Sequence, residues 1–580
     1  MRSLLLALLF AVTFPGLSVA DEKPSGPFWT GTLDVGVCEL RFRVETVPNA
    51  DGSKSQRLVS LDEGGQVFKL DGFLLDETQL QFEVKITKGA YVGTLSENGR
   101  VSTGKWKQAG KEFDLVLRRT DTVPVDKPAE AWSGQISTLF QKLTLRVRVY
   151  RNDDGSEKVY LDSVTQKSGG IKAQRMIDGD KWTVSVASLA AKFEGTINAD
   201  KTEIKGKFTQ GGQSMDLTLT PEKSVVEETV KAPSRPQTPK APFPYLIEEV
   251  TFSNDVDKVQ LAGTLTIPKQ DKPCPAAILI SGSGPQDRDE TLLDHKPFWV
   301  LADHLTRQGI AVLRFDDRGT GSSTGDFSTA TSEDFSRDVE AALAHLLKDA
   351  RISKSSIGLI GHSEGGLIAP IVAARHQDVA FAVLLAGPGV NGREILLSQG
   401  QLILKAAGVT DEAVLKTQKA TQLAMFDALQ EATATTTHEE LVAAAMARLA
   451  KSLPPEALEK PEMKATISAG IKQINSPWFR FFLTHEPGPI LEKVLCPVLA
   501  LNGEKDVQVD PDLNLPAIRK SLENGRNKKL ETIKLPNLNH LFQTCTTGSV
   551  GEYQSIEETL SPEMLKKVSD WIREKTSAGK

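Results

Sequence analysis

The stretch that decides the fold is Ile357-Gly358-Leu359-Ile360-Gly361-His362-Ser363-Glu364-Gly365-Gly366. Its first four residues form an apolar run typical of a strand, and the residues that follow, 367–374, predict a helix. A serine at a sharp turn between a strand and a helix exposes its hydroxyl at the end of the strand. Gly361 and Gly365 lack a Cβ where the strand and the helix approach each other. The pattern predicts that Ser363 is a nucleophile; the alternative is a glycine-rich turn whose serine has no special role.

The region around this stretch alternates strand and helix. Continuous apolar runs cover residues 276–280, 310–315, 357–360, 380–386, 498–501 and 530–535. Strands that are apolar on both faces and are separated by helices predict a mostly parallel sheet. In such sheets the chemistry lies at the carboxyl ends of the strands. We therefore predict an α/β domain over residues 246–580.

Two further residues with catalytic chemistry follow predicted strands. Asp506 comes after the strand that ends at 501, and His540 comes after the strand that ends at 535. A serine hydroxyl needs a general base near neutral pH, and the base needs a carboxylate that orients its ring. We predict His540 as the base and Asp506 as the orienting acid. Asp510 and Asp512 are the alternatives to Asp506.

A tetrahedral intermediate also needs hydrogen-bond donors for its oxyanion. The backbone N–H of Glu364, directly after the serine, is one expected donor. The other expected donor is the backbone N–H of Ser283, in a glycine-flanked loop after the strand at 276–280. Residues 316–321 are interpreted as a structural turn, from which Arg318 is expected to pair with Asp287 or Asp289.

Three motifs together carry a resemblance to a known family. They are Ser281–Asp289, Gly361–Gly366 and Leu538–Gln543, and they resemble bacterial carboxylesterases of the α/β-hydrolase superfamily, in the branch that includes serine aminopeptidases and dienelactone hydrolases. The resemblance covers about residues 245–580. It implies an α/β-hydrolase fold and the hydrolysis of small to medium acyl esters without a cofactor. Serine, aspartate and histidine also follow each other in the chain order of that superfamily.

The resemblance leaves other activities open. Many members of the superfamily have a histidine where this chain has Ser281, although the backbone donor is retained. A serine peptidase acting on short peptides, a thioesterase and an acyltransferase use the same three residues. A different class is a carbohydrate- or lipid-binding protein with a vestigial hydrolase domain, which the intact set of catalytic residues disfavours.

An insertion separates the serine from the acid. Ser363 and Asp506 are 143 residues apart, whereas Asp506 and His540 are 34 apart. The excess, 388–490, contains amphipathic patterns that predict helices and hence a helical cap over the site. An aromatic group at its end is expected either to line the acyl pocket or to pack the cap; its members are Trp478, Phe479 and Phe482.

The N-terminal half predicts a duplicated all-β region. Short runs with period-two alternation predict antiparallel strands. Trp29-Thr30-Gly31 returns as Trp132-Ser133-Gly134 with an offset of 103, and Gly93-Thr94-Leu95 returns as Gly195-Thr196-Ile197 with an offset of 102. We predict two units, 21–125 and 126–221, each a small barrel or sandwich. Their role is either to hold an apolar ligand inside a barrel or to act as a stabilising or substrate-presenting module. A proline-rich spacer is predicted over 222–245.

The composition and the N-terminal segment limit which partners, cellular location and metal sites we expect. The net charge is −6, so we expect no nucleic-acid partner. Residues 1–20 are typical of a signal peptide, with Arg2, an apolar segment and a Ser18-Val19-Ala20 cleavage site, which predicts a secreted or periplasmic protein. No later apolar run is long enough to predict a membrane span. The four cysteines lack metal-ligand spacing, so no metal site is expected. The oligomeric state is left open.

Overall fold

The computed structural model describes residues 25–577 apart from 49–53, 63–65, 85–88, 109, 122–127, 138–141, 153, 166–167, 190, 211–212, 223–233, 407, 434, 454–457 and 459–460. The chain divides into two compact units between residues 232 and 233. The predicted signal peptide, residues 1–20, lies outside the described residues.

The first unit consists of antiparallel strands that follow one another along the chain. They are β1 (Ser25–Asp34), β2 (Glu39–Pro48), β3 (Lys54–Ser60), β4 (Gln66–Lys69), β5 (Asp71–Leu75), β6 (Gln79–Val84), β7 (Gly89–Leu95), β8 (Val101–Gln108), β9 (Lys111–Thr120), β10 (Glu130–Ser137), β11 (Lys142–Arg151), β12 (Glu157–Ser163), β13 (Ser168–Asp178), β14 (Lys181–Val186), β15 (Ala191–Ile197), β16 (Ile204–Gln210) and β17 (Gln213–Pro221). Strands β1–β9 form a nine-stranded sheet in the order β4-β3-β2-β1-β9-β8-β7-β6-β5, and β10–β17 form a closed barrel.

The two sheets share one plan, which confirms the predicted duplication of the β region. Leu70 alone separates β4 from β5, and these two strands together correspond to the long strand β13 of the barrel. The starts of β3 and β12 differ by 103 residues, and the starts of β6 and β14 differ by 102. The one-residue difference between the repeats therefore falls between β3 and β6 in the first repeat and between β12 and β14 in the second, where β13 has two counterparts.

The inside of the barrel is filled by side chains. Trp132 and Trp182 lie edge to face with ring centroids 5.3 Å apart, and Phe193 and Phe208 are buried beside them. This packing, seen in the described residues, favours a stabilising module over a container for an apolar ligand.

A buried arginine joins the two β sheets. The guanidinium of Arg148, in the barrel, lies 2.6 Å from Asp162 and 2.8 Å from Asp62 of the first sheet. The carboxylates hold the pKa of Arg148 above its ordinary value although burial opposes this. Removing one partner would leave a buried charge uncompensated, so the contact ties the two repeats into one unit.

The second unit is a sheet covered by helices. Its strands are β18 (Tyr245–Asn254), β19 (Val259–Pro268), β20 (Cys274–Ile280), β21 (Ala311–Phe315), β22 (Ile352–His362), β23 (Val379–Leu385), β24 (Val498–Gly503) and β25 (Leu530–Leu535). Its helices are α1 (Pro297–Arg307), α2 (Ser332–Leu346), α3 (Gly365–Arg375), α4 (Gly392–Ala406), α5 (Glu412–Gln430), α6 (His438–Leu449), α7 (Pro461–Ile474), α8 (Pro477–Thr484), α9 (Pro487–Leu491), α10 (Pro511–Asn524) and α11 (Pro562–Ser577).

The strand order of this sheet is β18-β19-β21-β20-β22-β23-β24-β25. The β18–β19 hairpin is antiparallel and β19 pairs antiparallel with β21, whereas β20 to β25 run parallel to one another, as the apolar runs predict. Helices α1 and α11 pack in one apolar cluster on the sheet, and α2, α3 and α10 pack in the other. This three-layer α/β arrangement brings the ends of β20, β22, β24 and β25 to one edge.

The second half of the predicted spacer belongs to this unit. Arg235 donates hydrogen bonds to the carbonyl oxygens of Gln554 and Ile556, at 2.9 and 2.7 Å. Arg235 and Gln237 of the spacer predicted over 222–245 are therefore anchored to this unit, whereas residues 223–233 lie outside the described residues. The partly buried Arg235 makes long-range contacts with main-chain acceptors, which proline content does not reveal.

Helices α4–α9 fill the insertion between β23 and β24. Helices α5, α6 and α7 confirm the helical patterns predicted within 388–490. Their buried faces form a cluster that includes Leu367 and Ile371 of α3. No helix in the described part of the chain is long and apolar enough to cross a membrane.

Candidate active site

Ser363 lies at the sharp turn between β22 and α3. Its φ is +53°, in the left-handed region that a serine rarely adopts. A Cβ placed on Gly361 would lie 1.9 Å from the carbonyl oxygen of Gly365, and one on Gly365 would lie 2.1 Å from that of Ile280. Only glycine fits at both positions. The local sequence therefore forces the strained turn, and such strain is characteristic of functional residues.

His540 and Asp506 form a buried pair at the neighbouring strand ends. His540 Nδ1 lies 2.8 Å from Asp506 Oδ2, and the two residues are 4% and 2% exposed. The other oxygen, Asp506 Oδ1, accepts the backbone N–H groups of Gln508 and Val509 at 2.8 and 2.9 Å. These bonds fix the carboxylate so that it orients the imidazole through Nδ1, which directs Nε2 to the opposite side of the ring.

The two rival acids have other partners. Asp510 caps helix α10 by accepting the backbone N–H of Asp512, and it also accepts the hydroxyl of Ser398 at 2.8 Å. Asp512 pairs with Lys534 at 2.7 Å. Of the three predicted candidates, the structure brings Asp506 to His540.

The loop after β20 lies against the nucleophile. A Cβ on Gly282 would lie 3.3 Å from that of Ser363. The Gly282 N–H already donates to Glu290 Oε1 at 2.8 Å. Among the bonds of the described residues, the N–H groups of Ser283 and Glu364 have no protein acceptor. These two predicted donors are thus available to an oxyanion.

The partly buried residue Asp317 braces that loop. Asp317 accepts the hydroxyl of Ser281 at 2.7 Å and the N–H of Gln286 at 2.9 Å. Burial raises the pKa of Asp317 well above its ordinary value. The turn that contains it is structural, in line with its interpretation from sequence.

Arg318 does not brace the loop as expected. It pairs with Asp257 at 2.8 Å and with Asp338 of α2 at 2.7 Å, because it faces α2. Asp289, one of its two predicted partners, pairs with Arg314 and with Lys296 instead.

The side chain of Glu364 reaches the cap. Its Oε1 accepts the hydroxyl of Ser332 at 2.6 Å and the Nε1–H of Trp478 at 2.7 Å. Burial raises the pKa of Glu364 to about 7, against these two hydrogen bonds. The residue whose N–H is a predicted oxyanion donor is thereby tied to α8 of the cap.

The three predicted pocket aromatics have different environments. Phe479 and Phe482 are 3% and 7% exposed and belong to the apolar cluster of the cap. Trp478 is partly buried, stacks on Phe482 with ring centroids 5.2 Å apart, and directs its N–H to Glu364. Cap packing, the alternative to a pocket role, accounts for Phe479 and Phe482.

Sequence reasoning missed a second buried pair of histidine and carboxylate. His362 Nδ1 lies 2.8 Å from Glu290 Oε1, and His362 Nε2 lies 3.1 Å from the carbonyl oxygen of His540. The second contact holds the main chain of His540 beside the residue that precedes Ser363. Glu290 directly follows the Ser281–Asp289 motif, which is the signal in the sequence that pointed toward it. No group of three or more potential metal ligands occurs among the described residues.

The family model for serine aminopeptidases, S33, matches residues 297–450, a segment that contains Ser363 but neither Asp506 nor His540. Esterase EstD of Thermotoga maritima is 26% identical over 430 residues, which cover 70% of this chain and 92% of EstD. The second unit makes up about 60% of the chain, so this alignment extends into the N-terminal β unit.

Two solved esterase structures are similar to part of this chain. Esterase Pf2001 of Pyrococcus furiosus aligns with 17% identity over 57% of this chain and 93% of its own, with a TM-score of 0.32. Est1E of Butyrivibrio proteoclasticus aligns with 15% identity over 57% of this chain and 99% of its own, also with a TM-score of 0.32. The layered parallel sheet and the serine turn after β22 give this chain an α/β-hydrolase fold, and its sequence is similar to that of an esterase and, over residues 297–450, to serine aminopeptidases.

Proposed function

We propose that this protein is an exported serine esterase that cleaves carboxylic esters through an acyl-enzyme on Ser363. The observation that carries the proposal is the 2.8 Å contact between His540 Nδ1 and Asp506. These residues follow β25 and β24, three and two strands from β22, whose end carries a serine with a φ of +53°. A neutral imidazole bonded through Nδ1 has Nε2 as its basic nitrogen. Nε2 is the atom that a serine hydroxyl needs as its proton acceptor.

The reaction follows from these groups. Ser363 Oγ attacks the ester carbonyl carbon as His540 Nε2 takes the hydroxyl proton, and Asp506 stabilises the resulting imidazolium. The N–H groups of Ser283 and Glu364 bind the oxyanion. When the carbon–oxygen bond to the alcohol breaks, His540 returns the proton to the leaving oxygen and the acyl group stays on Ser363. Water then attacks the acyl group by the same steps and restores the serine.

The test is the turnover of p-nitrophenyl acetate and p-nitrophenyl butyrate. We expect Ser363→Ala to abolish enzymatic turnover while the fold is retained. Ser353→Ala is the matched control, since Ser353 lies on the same strand β22 toward its other end, where it bonds Ser356. Equal turnover by the wild type and by Ser363→Ala would exclude the proposed mechanism.

A serine aminopeptidase is the second candidate, because the family model that matches residues 297–450 is named for that activity. Esters and amides of the same amino acids separate the two candidates. We expect aminoacyl esters to be cleaved and the corresponding aminoacyl p-nitroanilides to be left intact. Preferential cleavage of the anilides would instead make the protein a peptidase, and a panel of acyl thioesters tests the thioesterase alternative.

Export follows from the signal peptide expected over residues 1–20. The expected mature chain starts at Asp21 and is found in the periplasm or the medium. Intact mass and N-terminal sequencing of the protein from each cell fraction test this. A chain that retains residues 1–20 and stays with the cytoplasm would contradict the proposed export.

We also propose that the cap shapes the acyl pocket. The supporting observation is the hydrogen bond from Trp478 of α8 to Glu364, which follows the nucleophile in the chain. A cap contact at this position restricts the space and the water available to an acyl group on Ser363.

A further inference from the structure

The Glu290–His362 pair has no part in the reaction as written. Its two residues are 6% and 7% exposed, and their side chains lie 2.8 Å apart. The rings of His362 and the proposed base His540 have their centroids 5.0 Å apart. Burying two ionisable groups beside a catalytic site is costly unless they are fully paired, so their bonds indicate what the pair does.

Both nitrogens of His362 face acceptors. Nε2 lies 3.1 Å from the carbonyl oxygen of His540, which can only accept. Nδ1 lies 2.8 Å from Glu290 Oε1, an oxygen that already accepts the N–H of Gly282. With Glu290 as a carboxylate, both ring nitrogens donate, and His362 is an imidazolium paired with it. The carboxylates of Glu290 and Asp506 raise the pKa of His362, although burial opposes them.

The bonds of the pair converge on three parts of the site. Glu290 holds the N–H of Gly282, next to the proposed oxyanion donor Ser283. His362 belongs to the turn that carries Ser363. Its Nε2–H holds the main chain of His540. One ion pair thus joins the oxyanion loop, the nucleophile turn and the backbone of the base.

We infer that Glu290 and His362 are positioning residues for ester hydrolysis, acting as an ion pair that fixes the oxyanion loop and His540 relative to Ser363. The inference rests on the proposed function. Small displacements of reacting groups reduce the rate of the chemical step strongly, whereas they affect ground-state binding less. Phe542 and Leu385 line the same small cavity as the pair and give it an apolar side.

The pH dependence follows from the charge of His362. The titratable groups that face it are Glu290 from the oxyanion loop, His540 from the loop after β25, and Asp506 from the loop after β24. The Glu290 carboxylate holds the pKa of His362 above the ordinary value, so the imidazolium persists to higher pH than in a free histidine and is lost as the pH rises through the raised pKa. The rate constant kcat should then fall on the alkaline side. Without the Glu290 charge this fall moves to lower pH.

The decisive variants are Glu290→Gln and His362→Phe. Glutamine still accepts from Gly282 but carries no charge, and phenylalanine fills the ring space without donors. We expect kcat to fall about 10- to 100-fold in both, with KM changed less than about 3-fold, and the alkaline limb of Glu290→Gln to shift to lower pH. His304→Asn is the matched control, since His304 of α1 bonds Ser569 and takes no part in the site; its kcat should stay at the wild-type value.

The outcomes distinguish a failure of the proposed function from a failure of the positioning role. Turnover that survives Ser363→Ala would refute the proposed function and, with it, the positioning role. If turnover depends on Ser363 but Glu290→Gln keeps kcat within 2-fold of the wild type, the positioning role alone is refuted. Because His362→Phe could fail to fold, ¹⁵N NMR of histidine-labelled wild type gives a readout without substrate. An imidazolium signal assigned to His362 at pH 7 is expected, and a neutral tautomer would overturn the inference.

Discussion

The two buried pairs of histidine and carboxylate differ in what the second ring nitrogen contacts. In the Asp506–His540 pair, Nδ1 meets the carboxylate, and we propose that Nε2 serves Ser363. In the Glu290–His362 pair, Nδ1 also meets a carboxylate, but Nε2 meets a main-chain carbonyl. The first histidine is therefore able to accept a proton, whereas the second holds both of its protons. Both pairs combine a histidine with a carboxylate, so this combination does not decide their role. The group that Nε2 contacts decides whether such a pair transfers a proton or positions other residues.

The largest effect is expected from breaking the first pair. Asp506→Asn removes the charge that stabilises the His540 imidazolium and favours the wrong tautomer, so we expect kcat to fall by about 10⁴-fold. The measurement is steady-state turnover of p-nitrophenyl butyrate. Asp510→Asn, in the same segment, is the control; it should keep kcat within about 3-fold because Asp510 caps α10 and does not contact His540. A similar loss in both variants would remove the distinction between the two acids.

The same change of carboxylate to amide in the second pair should cost less. We expect Glu290→Gln to retain at least about 100 times the kcat of Asp506→Asn, because positioning is impaired while proton transfer is retained. The two variants are compared under identical conditions with the same ester. If Glu290→Gln were as inactive as Asp506→Asn, the two pairs would not have separate roles.

A third acid, Glu364, sharpens the comparison because its protonation is predicted to change near neutral pH. Its pKa is raised from 4.5 to about 7, so between these values the folded chain holds a proton that the unfolded chain releases. The free energy of unfolding should therefore fall as the pH rises from about 4.5 to 7, by up to about 3 kcal/mol from this group.

Glu364→Gln keeps the acceptor for Ser332 and Trp478 but has no proton to lose. The stability difference between wild type and variant should thus shift in favour of the variant across that pH range. Urea unfolding at several pH values measures it. Parallel pH dependences of the two proteins would show that Glu364 does not titrate in this window.

The smallest effect is expected at the cap. Trp478→Phe removes the Nε1–H that donates to Glu364 but keeps an aromatic ring stacked on Phe482. Loss of one buried hydrogen bond should destabilise the protein by about 1 to 2 kcal/mol. We expect kcat/KM for p-nitrophenyl butyrate to change by no more than about 10-fold. Phe481→Leu, on the same helix, serves as the control. An unchanged stability of Trp478→Phe would argue against the cap contact.

The general plan of the molecule is predictable from local patterns. Apolar runs gave the parallel strands β20 to β25 because burial on both faces leaves few polar residues in them. Matched Trp-x-Gly and Gly-Thr motifs revealed the duplicated β region because the repeats kept their spacing. The candidate site was predictable because Ser363, Asp506 and His540 each follow a strand of the same parallel sheet. The carboxyl ends of these strands lie at one edge of the sheet, independently of the conformation of the loops between them.

What the sequence does not reveal depends on contacts between distant segments. Glu290 and His362 are 72 residues apart, and the ring orientation that pairs them is set by Gly282 and by the carbonyl of His540. Arg318 pairs with acids on the α2 side of its turn for a similar reason. In the first sheet, no sequence pattern predicts the break at Leu70 that separates β4 from β5. The corresponding segment of the barrel is one continuous strand, β13.

The most direct test of the account is the rate at which a fluorophosphonate labels Ser363. Wild type, Glu290→Gln and Asp506→Asn are treated in parallel, and the adduct is located by peptide mass mapping. We predict a single adduct on the peptide that contains Ser363, formed fastest in the wild type, more slowly in Glu290→Gln and slowest in Asp506→Asn. An adduct on another residue, or labelling of Asp506→Asn at the wild-type rate, would contradict the account.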